Sequence, residues 1–236
     1  MDPILNYELS GGVATLTMND GKANVMSVRM LQELSAAFDR AQADKAVVLL
    51  TSGGRLFSGG FDLAVFKSDR AELFRMLEAG ALLTQKMLAF PRPIVAVCAG
   101  HAIAMGVFLM LGADVRIGVD EGARIQVNEV QIGLTVPHFA IEICRHRLAP
   151  QHLHHAVGTA APHTPQQALQ AGFLTELAAA ASIGEAGRSS AKAVAALHAG
   201  AFADTKARLT QHTRAAMEIA VREDIEDWSR AFLKRE

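Results

Sequence analysis

The sequence predicts a mixed α/β fold, and three observations lead there. Short β-branched runs, AVVLLT at residues 46–51 and IVAVCA at 94–99, read as strands buried on both faces. Segments with apolar residues every three or four positions lie between such runs and read as amphipathic helices. Two glycine-rich stretches, SGGFDL at 58–63 and GHAIAMG at 100–106, each join a strand to a helix.

The elements follow in order. Residues 5–18 predict a hairpin of two short strands around Gly11-Gly12. Ser27 is placed to cap a helix whose apolar positions Met30, Leu34, Ala37, Phe38 and Ala41 share one face. After the 46–51 strand comes the loop SGGRLFSGGFDL. Ser68 is placed to cap a second helix, with Leu73, Met76, Leu77, Leu83 and Met87 along one face and Pro91 and Pro93 ending it. Residues 94–99 form another buried strand, 104–111 a helix, and 114–118 and 124–127 two short strands. Thr164-Pro165-Gln166-Gln167 spells a helix start: a capping threonine, a proline in the first turn and a glutamine at the capping-box position. After about Leu177 the chain turns alanine-rich and helical. This divides it into a core at residues 1–177 and a C-terminal helical segment at 178–236. In the last helix Met217, Val221, Ile225, Trp228 and Phe232 form one stripe, which fits packing on its own core or a subunit interface.

Composition narrows the function classes. Half of the 236 residues are hydrophobic and a fifth are charged, enough for a sizeable core. A net charge of −1 argues against nucleic acid as a partner, since phosphate binding needs a basic excess. The two cysteines, Cys98 and Cys144, form no CxxC pair or disulfide framework, and MDPILNYELS lacks the basic and apolar regions of a signal peptide. Both point to the cytoplasm. Residues 94–113 are nearly all apolar and long enough to span a bilayer. Their β-branched first half and Met/Leu/Phe-rich second half, broken at Gly100-His101, read instead as a strand and a helix of a buried core, so no membrane partner is expected.

The chemistry centres on RIQVNEVQIGLTVP at residues 124–137. Glu129 stands there among Ile125, Val127, Val130, Ile132 and Leu134. A solvated surface acid fits this pattern, and so does a catalytic acid/base with a raised pKa. In the two glycine-rich stretches the backbone can approach a ligand closely, and free N–H groups at a helix start can hold developing negative charge. A plain strand-to-helix turn fits the first stretch equally well. It matches neither GxxxxGK[ST] nor GxGxxG, which excludes the P-loop and Rossmann readings. Two such junctions can aim two N–H groups at one oxygen, the arrangement of an oxyanion hole for a thioester enolate.

Taken in order, GKANVMS, GRLFSGGFDL, GHAIAMGVFLMLGADVRIG, VNEVQIGLTVP and AGFLTEL resemble the crotonase superfamily of enoyl-CoA hydratases and isomerases, over about residues 5–177. The resemblance implies a crotonase-like spiral of ββα units with a C-terminal helical oligomerisation segment, supporting a homotrimer or a hexamer made of two trimers. It implies an acyl-CoA thioester substrate, with coenzyme A carried by the substrate, and no metal or separate cofactor. It assigns the backbone N–H groups of Phe61 and Met105 to the oxyanion hole. Coenzyme A contacts are expected near Lys22, Ala23, Val25, Ser58, Gly60, Asp62 and Leu63. The bulk of Phe61 and Met105 is expected to narrow the acyl pocket, whose walls are expected to include Phe108 and His138.

The resemblance also sharpens the reaction. Hydratases of this family place two glutamates over the substrate, and the two positions here carry Phe108 and Glu129. Hydration must orient and deprotonate water and deliver a proton to C2, work that two carboxylates share well. Moving a double bond from position 3 to position 2 needs one base to take a proton from C2 and return it at C4. A lone glutamate in an apolar pocket suits that shift, so a Δ3,Δ2-enoyl-CoA isomerase is expected. The alternatives are a hydratase, another enolate reaction of a CoA ester, and a catalytically silent acyl-CoA-binding oligomer.

Other polar residues read as structural. His101 and His138 flank the expected site in the chain. His146, His152, His154 and His155 cluster without a carboxylate or cysteine to complete a metal set. Asp62 reads as a helix cap rather than a base, and Glu142 as structural or solvent-facing.

Overall fold

The computed structural model describes residues 3–67 and 69–233. Two sheets organise it. Leu5–Ser10 (β1) and Val13–Met18 (β2) pair antiparallel through Gly11-Gly12, which both have positive φ. Val47–Ser52 (β3), Ile94–Cys98 (β5), Val115–Val119 (β7) and Glu176–Ala178 (β9) then extend the sheet in parallel, in the order β1-β2-β3-β5-β7-β9. A second, smaller sheet consists of Leu56–Ser58 (β4), His101–Ile103 (β6) and Ile125–Gln126 (β8), parallel and in that order.

The strand period of two decides what each face buries. In β3, Val48 and Leu50 enter the main core, while Val47 and Leu49 face a second cluster with Val95, Val97, Ile117 and Val119. Ile183–Ala195 (α7) covers this second face and contributes Ile183 and Ala191. Continuously apolar strands such as IVAVC are therefore buried on both sides, as their sequence predicts.

Val28–Ala43 (α1) starts where Ser27 predicts: the Ser27 hydroxyl accepts the Met30 N–H at 3.2 Å, and the five expected face residues are buried. The expected cap Ser68 lies outside the described residues. The next helix, Arg70–Ala89 (α2), is capped by Asp69, whose carboxylate accepts the Ala71 N–H at 2.8 Å. Met105–Leu111 (α3), His138–Arg147 (α4) and the single turn Pro150–Leu153 (α5) follow. Pro165–Ala171 (α6) opens with the full capping box of Thr164 and Gln167. The apolar stretch 94–113 is β5, β6 and α3, all inside the fold. No helix among the described residues is long and apolar enough to cross a membrane.

Ala199–Trp228 (α8) packs on α2 and α4 and is anchored by a buried lysine. Lys206 is 6 % exposed, and its Nζ donates to Asp114 Oδ2 at 2.8 Å. Asp114 Oδ2 also accepts the Ile94 N–H, so one carboxylate ties α8 to the start of β5. The C-terminal stripe packs on the chain's own core: Met217 and Val221 are buried in it, and Ile225, Trp228 and Phe232 pack, partly buried, against it.

Candidate active site

The small sheet builds the site. Each of its parallel strands ends at a residue singled out above. β4 leads through Gly59-Gly60 to Phe61, β6 leads through Ala104 to Met105, and β8 leads through Val127 to Asn128 and Glu129. Carboxyl ends of parallel strands are the usual place for ligands in open α/β sheets, and here that edge opens on a cavity of about 240 Å³. Phe61, Leu77, Ile132, Trp228 and Phe232 supply much of its apolar wall.

Glu129 lines this cavity and is 6 % exposed. Among the described residues it is the one carboxylate in the lining, and its Oε2 has no hydrogen-bond partner. Burial pushes its pKa from 4.5 up to about 7, slightly opposed by its own backbone N–H. Cys144, buried on α4, has its thiol pushed well up by burial and, secondarily, by the charge on Glu129. Burial thus moves Glu129 towards neutrality, the range in which a carboxyl can serve as acid or base.

The two strand-to-helix junctions meet at the cavity. The first loop is stitched to the 20–26 segment: Gly59 N–H donates to Ala23 O and Met26 N–H to Gly60 O, both at 2.8 Å. The Asp20 carboxylate accepts the N–H groups of Lys22, Asn24 and Val25, folding that segment into a tight turn. Lys22, Ala23 and Val25 thus lie alongside the loop that carries Asp62 and Leu63, with Lys22 and Leu63 exposed. Gly60 has φ 93°, and a methyl group there would sit 2.9 Å from Ala104 Cβ and 3.6 Å from Met105 N. Glycine at this position lets the two junctions touch. Among the described residues neither the Phe61 nor the Met105 N–H donates a hydrogen bond. Met105 opens α3, where a free N–H is inherent to a helix start.

Several expected residues stand elsewhere. Phe108 is fully buried, edge-on to Phe139 at 5.8 Å, and does not line the cavity. It packs against Phe139, which in turn packs edge-on against Trp228 of the cavity wall. His138 is also absent from the wall. Its ring lies half-exposed, 3.9 Å from the carboxylates of Glu223 and Asp227 on α8. Ser58 cannot offer its side chain to coenzyme A: it is fully buried, donates to Asn24 O at 2.7 Å and accepts the Gly60 N–H. The Met105 side chain turns into the core beside Gly80, so of the two bulky residues Phe61 alone narrows the cavity. The Asp62 carboxylate accepts the Ala64 N–H at 3.0 Å, just before the short turn Val65–Lys67. His101 Nδ1 accepts the Arg124 N–H at 2.8 Å, a structural tie. Glu142 pairs with Arg145, and no cluster of metal-ligating side chains forms among the described residues.

The sequence reading did not foresee Trp228 and Phe232 in the wall. Their four-residue spacing showed a helix face but not its destination. That destination depends on Asp224, one turn before Trp228 and 3 % exposed. Its two oxygens accept the N–H groups of His138 and Phe139 at 2.9 and 2.8 Å. Pro137 precedes them and has no side-chain acceptor, so a residue 86 positions away caps α4. Asp224→Ala is expected to cost about 1–2 kcal/mol in chemical denaturation, and Asp224→Asn less, since the amide keeps one acceptor. Equal losses would rule out the capping account.

A wider groove of about 560 Å³ between the large sheet and α7 is lined by residues such as Thr15, Thr17, Arg188 and Lys192. It contains none of the strand-end residues.

The cavity thus combines a buried acid with two adjoining strand-to-helix junctions, whose Phe61 and Met105 N–H groups donate no hydrogen bond among the described residues. The family model for enoyl-CoA hydratase/isomerase matches residues 8–234, and the chain belongs to that family. It is 33% identical over 132 residues to a probable enoyl-CoA hydratase of Bacillus subtilis (strain 168), covering 54% of this chain and 50% of that one. It is 35% identical over 105 residues to enoyl-CoA delta isomerase 3 of Arabidopsis thaliana, covering 42% and 44%. The matches span about half the length of these curated relatives. Among solved structures, a probable enoyl-CoA hydratase of Mycobacterium tuberculosis H37Rv superposes with TM-score 0.93 at 35% identity, over 97% of this chain and 98% of that one. The relatives carry both reaction names.

Proposed function

We propose that the chain is a Δ3,Δ2-enoyl-CoA isomerase. The observation that carries this reading is the solitude of Glu129: among the described residues no second carboxylate lines the cavity. The thioester carbonyl would accept hydrogen bonds from the Phe61 and Met105 N–H groups, which stabilise the dienolate as charge moves onto oxygen. Glu129, ionised at or above neutrality, takes the C2 proton and returns it at C4. The C3=C4 bond becomes C2=C3, and the carboxylate is regenerated. Lys22, Ala23, Val25, Gly60, Asp62 and Leu63 are proposed to border the coenzyme A path, and the C-terminal helices to support a trimer or hexamer.

A hydratase is the second reading, supported by the names of several relatives. A fully buried phenylalanine at position 108 weighs against it, because hydration would have to proceed with one carboxylate. The purified protein, given 3-enoyl-CoA and 2-enoyl-CoA separately, is expected to convert the first and hydrate the second slowly or not at all. Rapid hydration of 2-enoyl-CoA would overturn the isomerase reading. Binding without turnover of either would favour an acyl-CoA binder.

A further inference from the structure

We propose that Asn128 reads a hydrogen-bonding group on the acyl chain, so that the preferred substrate carries a hydroxyl or carbonyl oxygen beyond its thioester. This rests on the acyl-CoA reading above. Asn128 lines the cavity beside Glu129. Its Oδ1 is buried without a partner, and its amide nitrogen donates to no described residue. Oxygen and nitrogen of the amide are interchangeable by a flip, so the whole group can donate or accept towards the cavity.

The buried amides of this fold, Asn24 and Gln126, are committed. Asn24 donates to Gly53 O and Leu56 O, and Gln126 to Gln131 and Ala160 O. The turn at Asn128 needs no side chain either, because Ile132 N–H bonds to the Asn128 backbone carbonyl. Nor does the proton shuttle use the amide, since Glu129 performs both transfers. The group therefore stands ready in a cavity whose walls are mostly aromatic and aliphatic. A plain hydrocarbon chain would leave the amide unpaired in the closed cavity. A chain oxygen would supply the hydrogen bond it lacks, and a site of that kind discriminates against the analogue without it.

Saturated ligands test this without turnover. The full chain is titrated calorimetrically with hexanoyl-CoA and with hexanoyl-CoA hydroxylated at carbon 4, 5 or 6. At least one hydroxylated ligand is expected to bind on the order of tenfold more tightly than hexanoyl-CoA. Asn128→Leu, which keeps the bulk and removes the polarity, is expected to erase that advantage. Asn128→Ala serves the same purpose should the leucine variant fail to fold, as judged by circular dichroism. The proposal is overturned if no hydroxylated ligand gains over hexanoyl-CoA, or if the gain survives in the folded variant. Failure of every acyl-CoA to bind, hexanoyl-CoA included, overturns the acyl-CoA reading and this inference with it. Equal binding of all of them overturns this inference alone.

Discussion

Replacing Glu129 with glutamine is expected to remove the proposed isomerase activity and, at the same time, to stabilise the protein. Glutamine keeps the shape but cannot accept a proton, so kcat should fall by about 10²–10⁴ or more. The stability gain follows from linkage. The folded-state pKa of Glu129 lies above its ordinary value, at about 7 against 4.5. Below about pH 4.5 the carboxyl is protonated whether the chain is folded or not, and its burial costs little. Between the two values the folded state holds a proton that the unfolded state has released, so stability falls as pH rises. Above about pH 7 the group is ionised in both states and the full penalty remains, roughly 3 kcal/mol at 1.36 kcal/mol per pH unit. Urea denaturation at pH 5 and pH 8 should therefore show the Glu129→Gln variant more stable by a margin that widens with pH. A margin independent of pH would mean that burial of charge is not its source. The same titration predicts that wild-type turnover rises with pH through about 7, whereas a solvated glutamate would already be ionised at pH 5.5.

Much of this behaviour was legible in the chain. The acid amid VNEVQI is buried, but only its N-terminal flank goes in with it: Ile125 and Val127 are buried, while Val130, Ile132 and Leu134 are exposed. Ser27 and Thr164 marked their helix starts because capping is a local interaction. The large-sheet strands β1, β2, β3, β5 and β7 announced themselves as runs long enough to show a pattern, and β8 falls within the strand expected at 124–127. β4 and β6 did not. Each is three residues long, as is β9 at the edge of the large sheet, too short for alternation to register, and β4 and β6 take their conformation from pairing in the small sheet. Those strands aim the site, so its residues could be named while its frame stayed hidden. Phe108 illustrates the other limit. A resemblance can align a position with a catalytic acid, but which side chain faces the cavity depends on the stack of Phe139 and Trp228, contributed by α4 and α8. Ser58 shows the same limit: its sequence context suits ligand binding, while its hydroxyl holds Asn24 O and the Gly60 N–H.

The contact between the two junctions yields the last expectation. Gly60→Ala places a side chain at φ 93°, with its Cβ 2.9 Å from Ala104 Cβ and 3.0 Å from Ile103 O. Backbone strain and overpacking together should cost about 2–3 kcal/mol. Relieving the clash by moving the loop shifts the Phe61 N–H relative to the Met105 N–H, and a displacement near 1 Å is enough to lower kcat about 100-fold. The opposite change should help. Ala104 adopts φ 50° and ψ −123°, a conformation that glycine reaches freely and alanine does not. Relief of about 1–3 kcal/mol of strain, less about 0.4–1 kcal/mol for the freer unfolded chain, leaves Ala104→Gly more stable by about 1 kcal/mol. Combining the two removes one of the atoms that the new methyl group meets, while the Ile103 carbonyl remains. The double variant should therefore be more stable than the sum of the single effects by about 1 kcal/mol, with partial recovery of turnover. A double-mutant cycle in chemical denaturant measures this coupling. Strict additivity would show that the junctions do not press on each other, and the proposed oxyanion hole would then need another explanation for how its two donors are held together.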